Sequence, residues 1–231
     1  MNELVLVQGM SDTKATLAEW NRNPWQVLGV WLRWSVLTAV GLMAAVWFVA
    51  KVSTPDPTPI HIPGITRDAT SGDAFHVLFR NSLVLALHSM ACVAGFMAGS
   101  TVPQQAALRS GFDRWIHEKA GKFAIGFVVC ATIFSLCTQA YALGGSAATV
   151  AFHMHMGPGR LLLGLALHAL PELTALFLPL AAWVVASRRG DWHKLLAATV
   201  VTTAIAAPVL VIACLVEVYV TPELILLLAG R

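Results

Sequence analysis

Apolar residues run through the chain in five long blocks, at 35–50, 82–102, 123–143, 161–186 and 195–216, each bounded by charged, proline-rich or glycine-rich sequence. About 20 consecutive apolar residues let a helix cross the hydrocarbon of a bilayer. The last four blocks meet that length directly. The first reaches it when 26–34 is added on its inner side, with Arg33 snorkelling to the headgroups. No stretch alternates apolar-out and polar-in residues as a transmembrane β-barrel requires. The pattern therefore predicts an all-α polytopic membrane helical bundle, with spans at about 27–51, 78–102, 122–143, 160–187 and 194–220. An outer loop at 52–77, an inner loop at 103–121 and a second outer loop at 144–159 connect them. Residues 27–231 read as one transmembrane domain preceded by a cytoplasmic interfacial segment, 1–26.

Composition narrows the class further. The 231 residues are 57% hydrophobic and 12% charged. A soluble domain carries about 25% charged residues, so this balance excludes both a soluble fold and disorder. Within the five blocks there is a single charged residue, Glu172. The net charge of +3 is too small and too scattered to argue for nucleic acid.

Lysine and arginine set the orientation. One face carries Lys14, Arg22, Arg33, Arg109, Arg114, Lys119, Lys122, Arg188, Arg189 and Lys194; the other carries Lys51, Arg67, Arg80, Arg160 and Arg231. The N-terminus is expected in the cytoplasm and the C-terminus outside, in a bacterial cell (plasma) membrane. All tryptophans except Trp47 lie toward the inner face, which fits an inner aromatic belt and an outer side covered by a partner. Ala50-Lys51-Val52 is not a small-x-small cleavage site, so the first span reads as a retained anchor. Cys92, Cys130, Cys137 and Cys214 fall inside spans without disulfide or zinc spacing and read as packing residues.

The connections differ in character. Ser11-Asp12-Thr13 can cap a short helix that lays Leu17 and Trp20 on the membrane surface and ends at Pro24. Pro55, Pro57, Pro59 and Pro63 make the first outer loop extended. Phe112, Trp115 and Ile116 among charges predict a second interfacial helix in 103–122. Gly144-Gly145 and Gly157-Pro158-Gly159 bracket an Ala-rich stretch, ending at His153-Met154-His155, that reads as a re-entrant or surface helix. Gly95-x-x-x-Gly99 reads as a close helix contact. No internal repeat suggests an inverted-repeat transporter.

Polar residues in and beside the spans carry the chemistry. His88 lies mid-span, with Asn81 seven residues earlier on the same helical face. His168 and Glu172 stand at i and i+4, side by side. Thr138, Gln139, Tyr141, His153, His155, Arg160 and Glu217 lie at the outer ends of spans. Given the orientation, all of them fall between the midplane and the outer surface, which predicts a polar cavity open on that side. A carboxylate or imidazole in hydrocarbon is expensive and by default functional. For His88 an interhelical hydrogen bond is the commoner role, and His168 with Glu172 fits structural glue as well as chemistry. Three chemistries suit the set. Neutral imidazoles with a carboxylate suit zinc, drawn from His168, Glu172, His153 and His155, although two histidines flanking a glutamate are absent and a site without metal fits equally. General acid–base catalysis would use His168 polarised by Glu172 with His88 as a second base. A proton or ion relay is the third. No serine or cysteine nucleophile motif and no phosphate loop is present.

The run His168-Ala169-Leu170-Pro171-Glu172-Leu173-Thr174-Ala175 resembles the His-Gly-x-x-Glu-hydrophobic-x-Ala motif of the stage II sporulation protein M family. Glu217-Val218-Tyr219-Val220-Thr221-Pro222 is similar to that family's closing Ile-Glu-x-x-hydrophobic-Thr-Pro, and Phe79-Arg80-Asn81-Ser82 resembles its Asn-containing second span. The resemblance covers roughly 75–225. It departs at Ala169, where the family has Gly, and in lacking the family's second Asn-Gly motif, whose place His153–Arg160 occupies. The resemblance implies a multi-pass membrane protein, tied to envelope remodelling with peptidoglycan hydrolases or to the maturation, export or immunity of circular bacteriocins. Fold-level likeness does not settle catalysis.

The reading that follows is a membrane-embedded maturation factor acting on a ribosomal peptide, by epimerisation, cyclisation or proteolysis. His168, Glu172 and His88 would be catalytic, and Asn81, Glu217, Arg160 and Tyr141 would bind substrate. Zinc or no cofactor fits. The expected partners are the lipid bilayer, the peptide and a second protein subunit, with no nucleic acid. The alternative is a non-catalytic scaffold of an envelope-remodelling or export complex; an ion-coupled carrier is less favoured with five spans.

Overall fold

The computed structural model describes residues 5–101 and 110–230, and among these the chain is helical with no strand. Helix α1 spans Val5–Arg22 and α2 spans Pro24–Val52. Pro24 suits the first helical position, where its missing N–H would have no partner. Helix α3, Ser71–Phe96, continues into a π-helical turn, Met97–Thr101. Helix α4 is Gly111–His153, α5 is Pro158–Arg189, α6 is Leu195–Leu215 and α7 is Thr221–Leu228, the last two joined by a π-helical segment, Val216–Val220. Among the described residues, five helices are long and apolar enough to cross a membrane: Pro24–Val52, Ser71–Gly99, Ile125–His153, Pro158–Arg189 and Trp192–Leu228. The protein is an all-α polytopic membrane protein with the five spans read from its hydropathy.

Helix boundaries differ from the sequence reading where local chemistry overrides hydropathy. Helix α3 begins at Ser71 rather than near 78. Thr70 and Asp73 cap it reciprocally: the Thr70 N–H donates to Asp73 Oδ2 at 2.9 Å, and the Asp73 N–H donates to Thr70 Oγ1 at 3.4 Å. Helix α4 runs straight through Gly144-Gly145, so residues 144–153, expected as outer loop and separate helix, are the last turns of the span. The physical reason is a close approach. A Cβ on Gly144 would lie 2.5 Å from Val49 Cβ and 3.0 Å from the Val46 carbonyl oxygen, so this glycine makes room for α2 instead of breaking α4. At its N-terminal end α4 is already helical at Gly111, and the expected interfacial helix of 103–122 lies partly outside the described residues. The ring stack of Phe112 on Trp115, centroids 5.7 Å apart, belongs to the first turns of α4.

Two compact units make up the chain, and each long helix contributes to both. The first unit comprises Met1–Ser35, Val84–Thr132 and Leu176–Ala206. It packs Trp31, Leu178, Ala181, Ala182 and Ala198 together, with Trp20 edge-on to Trp31 at 5.2 Å. A second cluster gathers Cys92, Phe96, Trp183, Ala186 and Leu195. The Gly95/Gly99 pair serves tryptophans here: a Cβ on Gly95 would lie 2.4 Å from Trp183 Nε1, and one on Gly99 2.2 Å from the Trp192 ring. Cys92 donates to the Pro179 carbonyl at 3.1 Å, a packing role as expected.

The second unit comprises Val36–Leu83, Ile133–Ala175 and Ala207–Arg231. The loop between α2 and α3 folds back tightly. Gly64, at φ +76, faces Pro222 so closely that a Cβ would meet Pro222 Cγ at 2.6 Å. Arg67 forks onto Asp73, with Nη1 to Oδ2 at 2.9 Å, which pushes the guanidinium pKa further up. Pro222 also explains the π-helical segment. It has no N–H to offer the Val218 carbonyl, and one residue earlier the Thr221 N–H bonds the Val216 carbonyl, five residues back.

Candidate functional site

The second unit brings His168, Glu172 and Glu217 together, with one ligand-capable atom from each lying within 4.8 Å of the others. His168 and Glu172 come from adjacent turns of α5, and Glu217 from the π-helical segment. His168 is 7% exposed, and its Nδ1 bonds Thr221 Oγ1 at 2.8 Å, Thr221 being itself buried. The bond fixes the ring and leaves Nε2 without a hydrogen-bond partner among the described residues. The two carboxylates are half-buried, yet Oε2 of each is shut away from solvent with no hydrogen-bond partner among the described residues.

Two further groups frame the cluster. Asn81, 3% exposed on α3, stands beside Glu172 with its Nδ2 unpartnered. Arg80 acts electrostatically on both Glu172 and Glu217 and lines the same cavity. That cavity, about 300 Å³, has Leu42, Met43, Val46, Ile62 and Ile65 on its apolar side and His168, Glu172, Glu217 and Arg80 on its polar side. Its walls come from α2, α3, α4, α5, the first outer loop and the C-terminal helices. The cluster faces a space in which three ionisable groups could hold a cation, exchange a proton or grip a ligand.

The other residues singled out in the sequence are placed elsewhere. His88 belongs to the first unit, where its Nδ1 bonds the Leu176 carbonyl oxygen at 2.7 Å and its ring lies 5.9 Å from Phe177. This is an interhelical bond between α3 and α5. His153 and His155 are not part of the cluster that could hold a metal. His153 Nε2 instead bonds the Asp56 carbonyl oxygen at 3.1 Å. His155 sits at φ 53 as the left-handed residue ending α4, with the Met156 N–H on the Ala151 carbonyl at 3.0 Å. Glu217, read as a substrate contact, provides the third ligand-capable atom in their stead. Arg160 is exposed and reaches the Leu228 carbonyl at 3.5 Å. Tyr141, 76% exposed, lines a different, wider groove of about 980 Å³ with Asp56 and His61. There the Thr58 N–H and hydroxyl hold the Asp56 carboxyl below the usual carboxylate range. Thr138 and Gln139 bond within their own helix, to the Phe134 carbonyl and the Ser135 hydroxyl.

Two residues of the site, Thr221 and Arg80, entered the sequence reading only within longer runs and not as site residues. Thr221 stands at i+4 from Glu217, a spacing that signals one helical face. Arg80 precedes Asn81 directly, and its side chain lines the cavity. Fold and site together define a polytopic α-helical membrane protein with a His/Glu/Glu cluster recessed among its spanning helices. Compared with protein-family models, with curated proteins and with solved structures, the chain matches none.

Proposed function

We propose that the protein is a membrane-embedded maturation factor that acts on a peptide substrate at His168, Glu172 and Glu217, in a bacterial cell membrane and beside a partner subunit. The observation that carries this reading is the cluster itself: an imidazole and two carboxylates with ligand-capable atoms within 4.8 Å, each carboxylate with a buried, unpartnered oxygen. Groups that only lock helices would spend those atoms on one another or on the backbone, as His88 does on Leu176. An imidazole oriented by Thr221 beside carboxylates is the equipment of acid–base or metal-assisted chemistry. The largely aliphatic wall of the cavity suits an apolar peptide segment entering from the bilayer. The likeness of the runs at 168–175 and 217–222 to the stage II sporulation protein M family favours a peptide or envelope substrate over a small solute. With the orientation read from lysine and arginine, the cavity would face the outer half of the membrane.

Isosteric replacement tests the reading. His168→Gln and Glu172→Gln, expressed in the native host, are expected to reach wild-type membrane abundance and still assemble with partners, while the mature peptide disappears from the mass spectrum. Full maturation in both variants would overturn the proposal. Loss of assembly with intact folding would favour the scaffold, in which the cluster only locks helices.

A further inference from the structure

We infer that His168, Glu172 and Glu217 bind one divalent transition-metal ion, zinc foremost. The inference deepens the proposed function by naming a cofactor, and it rests on that reading for the use of the ion but not for its binding. The donor set comes first. One imidazole and two carboxylates are borderline and hard ligands that suit zinc, whereas calcium seeks six to eight oxygens and magnesium keeps several waters. Ligands around tetrahedral zinc at about 2.0–2.2 Å stand about 3.4 Å from each other. The three atoms are already within 4.8 Å, so small rotations of the two glutamate side chains close the distance.

Charge is the second argument. Two carboxylates recessed among spanning helices hold their charge only beside a counter-charge. Arg80 acts on both but makes no ion pair with either among the described residues, and a divalent ion would neutralise them together.

The surroundings are the third. With its proton on Nδ1, His168 donates to Thr221 Oγ1, the outer-shell contact that orients a ligating imidazole and leaves the Nε2 lone pair for the ion. Asn81, 3% exposed, keeps an Nδ2 donor beside Glu172 that completes no hydrogen-bond geometry with another described residue. Water on the ion, or a substrate carbonyl replacing it, would take that donor. The cavity of about 300 Å³ leaves room for that fourth ligand.

The test uses the full-length chain, purified in detergent without a histidine tag and stripped with a chelator. Cobalt(II) titration is expected to give one ion per chain, with the visible d–d bands of a four- or five-coordinate site, displaced by zinc. His168→Gln, Glu172→Gln and Glu217→Gln should each abolish the bands, and Thr221→Val should weaken affinity about tenfold. Circular dichroism and gel filtration establish that the variants fold. Should a Gln variant not fold, Glu172→Asp and Glu217→Asp keep the carboxylate and are expected to shift the cobalt spectrum. No saturable cobalt binding, or binding that folded Gln variants retain, would overturn the metal site. Peptide maturation by metal-free protein would show the ion to be dispensable while leaving the peptide reading standing. Cobalt binding by the unsubstituted chain, lost in Gln variants that still mature the peptide fully, would uphold the metal site and overturn the peptide reading.

Discussion

His168 and Thr221 are joined through Nδ1 and Oγ1 at 2.8 Å, which ties the middle of α5 to the first residue of α7. Both partners are buried, and Thr221 is 2% exposed. The bond therefore has a stability consequence apart from any chemistry. Thr221→Val keeps the shape and removes the hydroxyl, leaving Nδ1 unsatisfied. A loss of about 1 kcal/mol is expected, near the range for interhelical bonds in membranes. Thermal unfolding of the detergent-solubilised variant measures it. Thr221→Ser, which restores the hydroxyl, should recover most of the loss; an unchanged midpoint in the Val variant would mean the bond does not form.

The loop between α2 and α3 gives a pH dependence. The Asp56 carboxyl accepts the Thr58 N–H and hydroxyl, both at 2.9 Å, while the Asp56 backbone is pinned to Thr149 and His153 at the end of α4. These bonds hold the carboxyl pKa below its ordinary 3.8. A depressed carboxyl pKa contributes stability that is present above 3.8 and is lost as pH falls through the lower, folded value. Protease cleavage within 57–62 should thus rise in the acid range below 3.8 and be flat at neutral pH. Asp56→Asn should show a pH-independent cleavage rate.

The spans were legible because hydrophobic length is a bulk property of consecutive residues, and so was the His168/Glu172 pair, which one helical turn places side by side. Other features depend on what a residue meets in space. Gly144-Gly145 reads as a break, but Gly144 is a contact surface for Val49. The two histidines at 153 and 155 look like ligands, yet one bonds the Asp56 backbone and the other ends a helix. Glu217 looked peripheral because it closes the last apolar block; only the π-helical segment and the fold of the second unit bring it to His168. The Thr70/Asp73 cap was written plainly in the sequence as Thr-x-x-Asp and sets the start of α3.

Close packing at Gly95 predicts the mutational limit of the first unit. A Cβ there would stand 2.4 Å from Trp183 Nε1 and 2.9 Å from Leu195 Cδ1. Trp183 is 1% exposed and has nowhere to go. Gly95→Ala is expected to cost about 1–3 kcal/mol by overpacking, read as lower membrane abundance and a lower unfolding midpoint. Gly126→Ala is the control, since nothing lies within 4 Å of a Cβ at that position. Equal behaviour of the two variants would contradict the packing.

Pro222 controls where Glu217 points. With the proline in place, the Thr221 N–H reaches back five residues to Val216, and the helix is widened over Val216–Val220. Pro222→Ala restores an N–H for the Val218 carbonyl and lets the segment relax to regular α-helical spacing, gaining helix propensity. That relaxation removes the extra residue from the turn and changes the angle between Glu217 and Thr221 about the helix axis, so that with Thr221 held by His168 the carboxylate swings away from the cluster. It also deletes the ring against which Gly64 packs. The expected result is a folded protein that keeps its helix content, loses cobalt binding at the His168 site and exposes the outer loop to protease near Gly64. A Gly64→Ala variant should open the loop in the same way, because the left-handed φ of +76 and the 2.6 Å approach to Pro222 both exclude a side chain. It leaves the π-helical segment intact and so should retain more metal affinity than Pro222→Ala. If the two variants lose cobalt binding equally, the widened helix is not what positions Glu217.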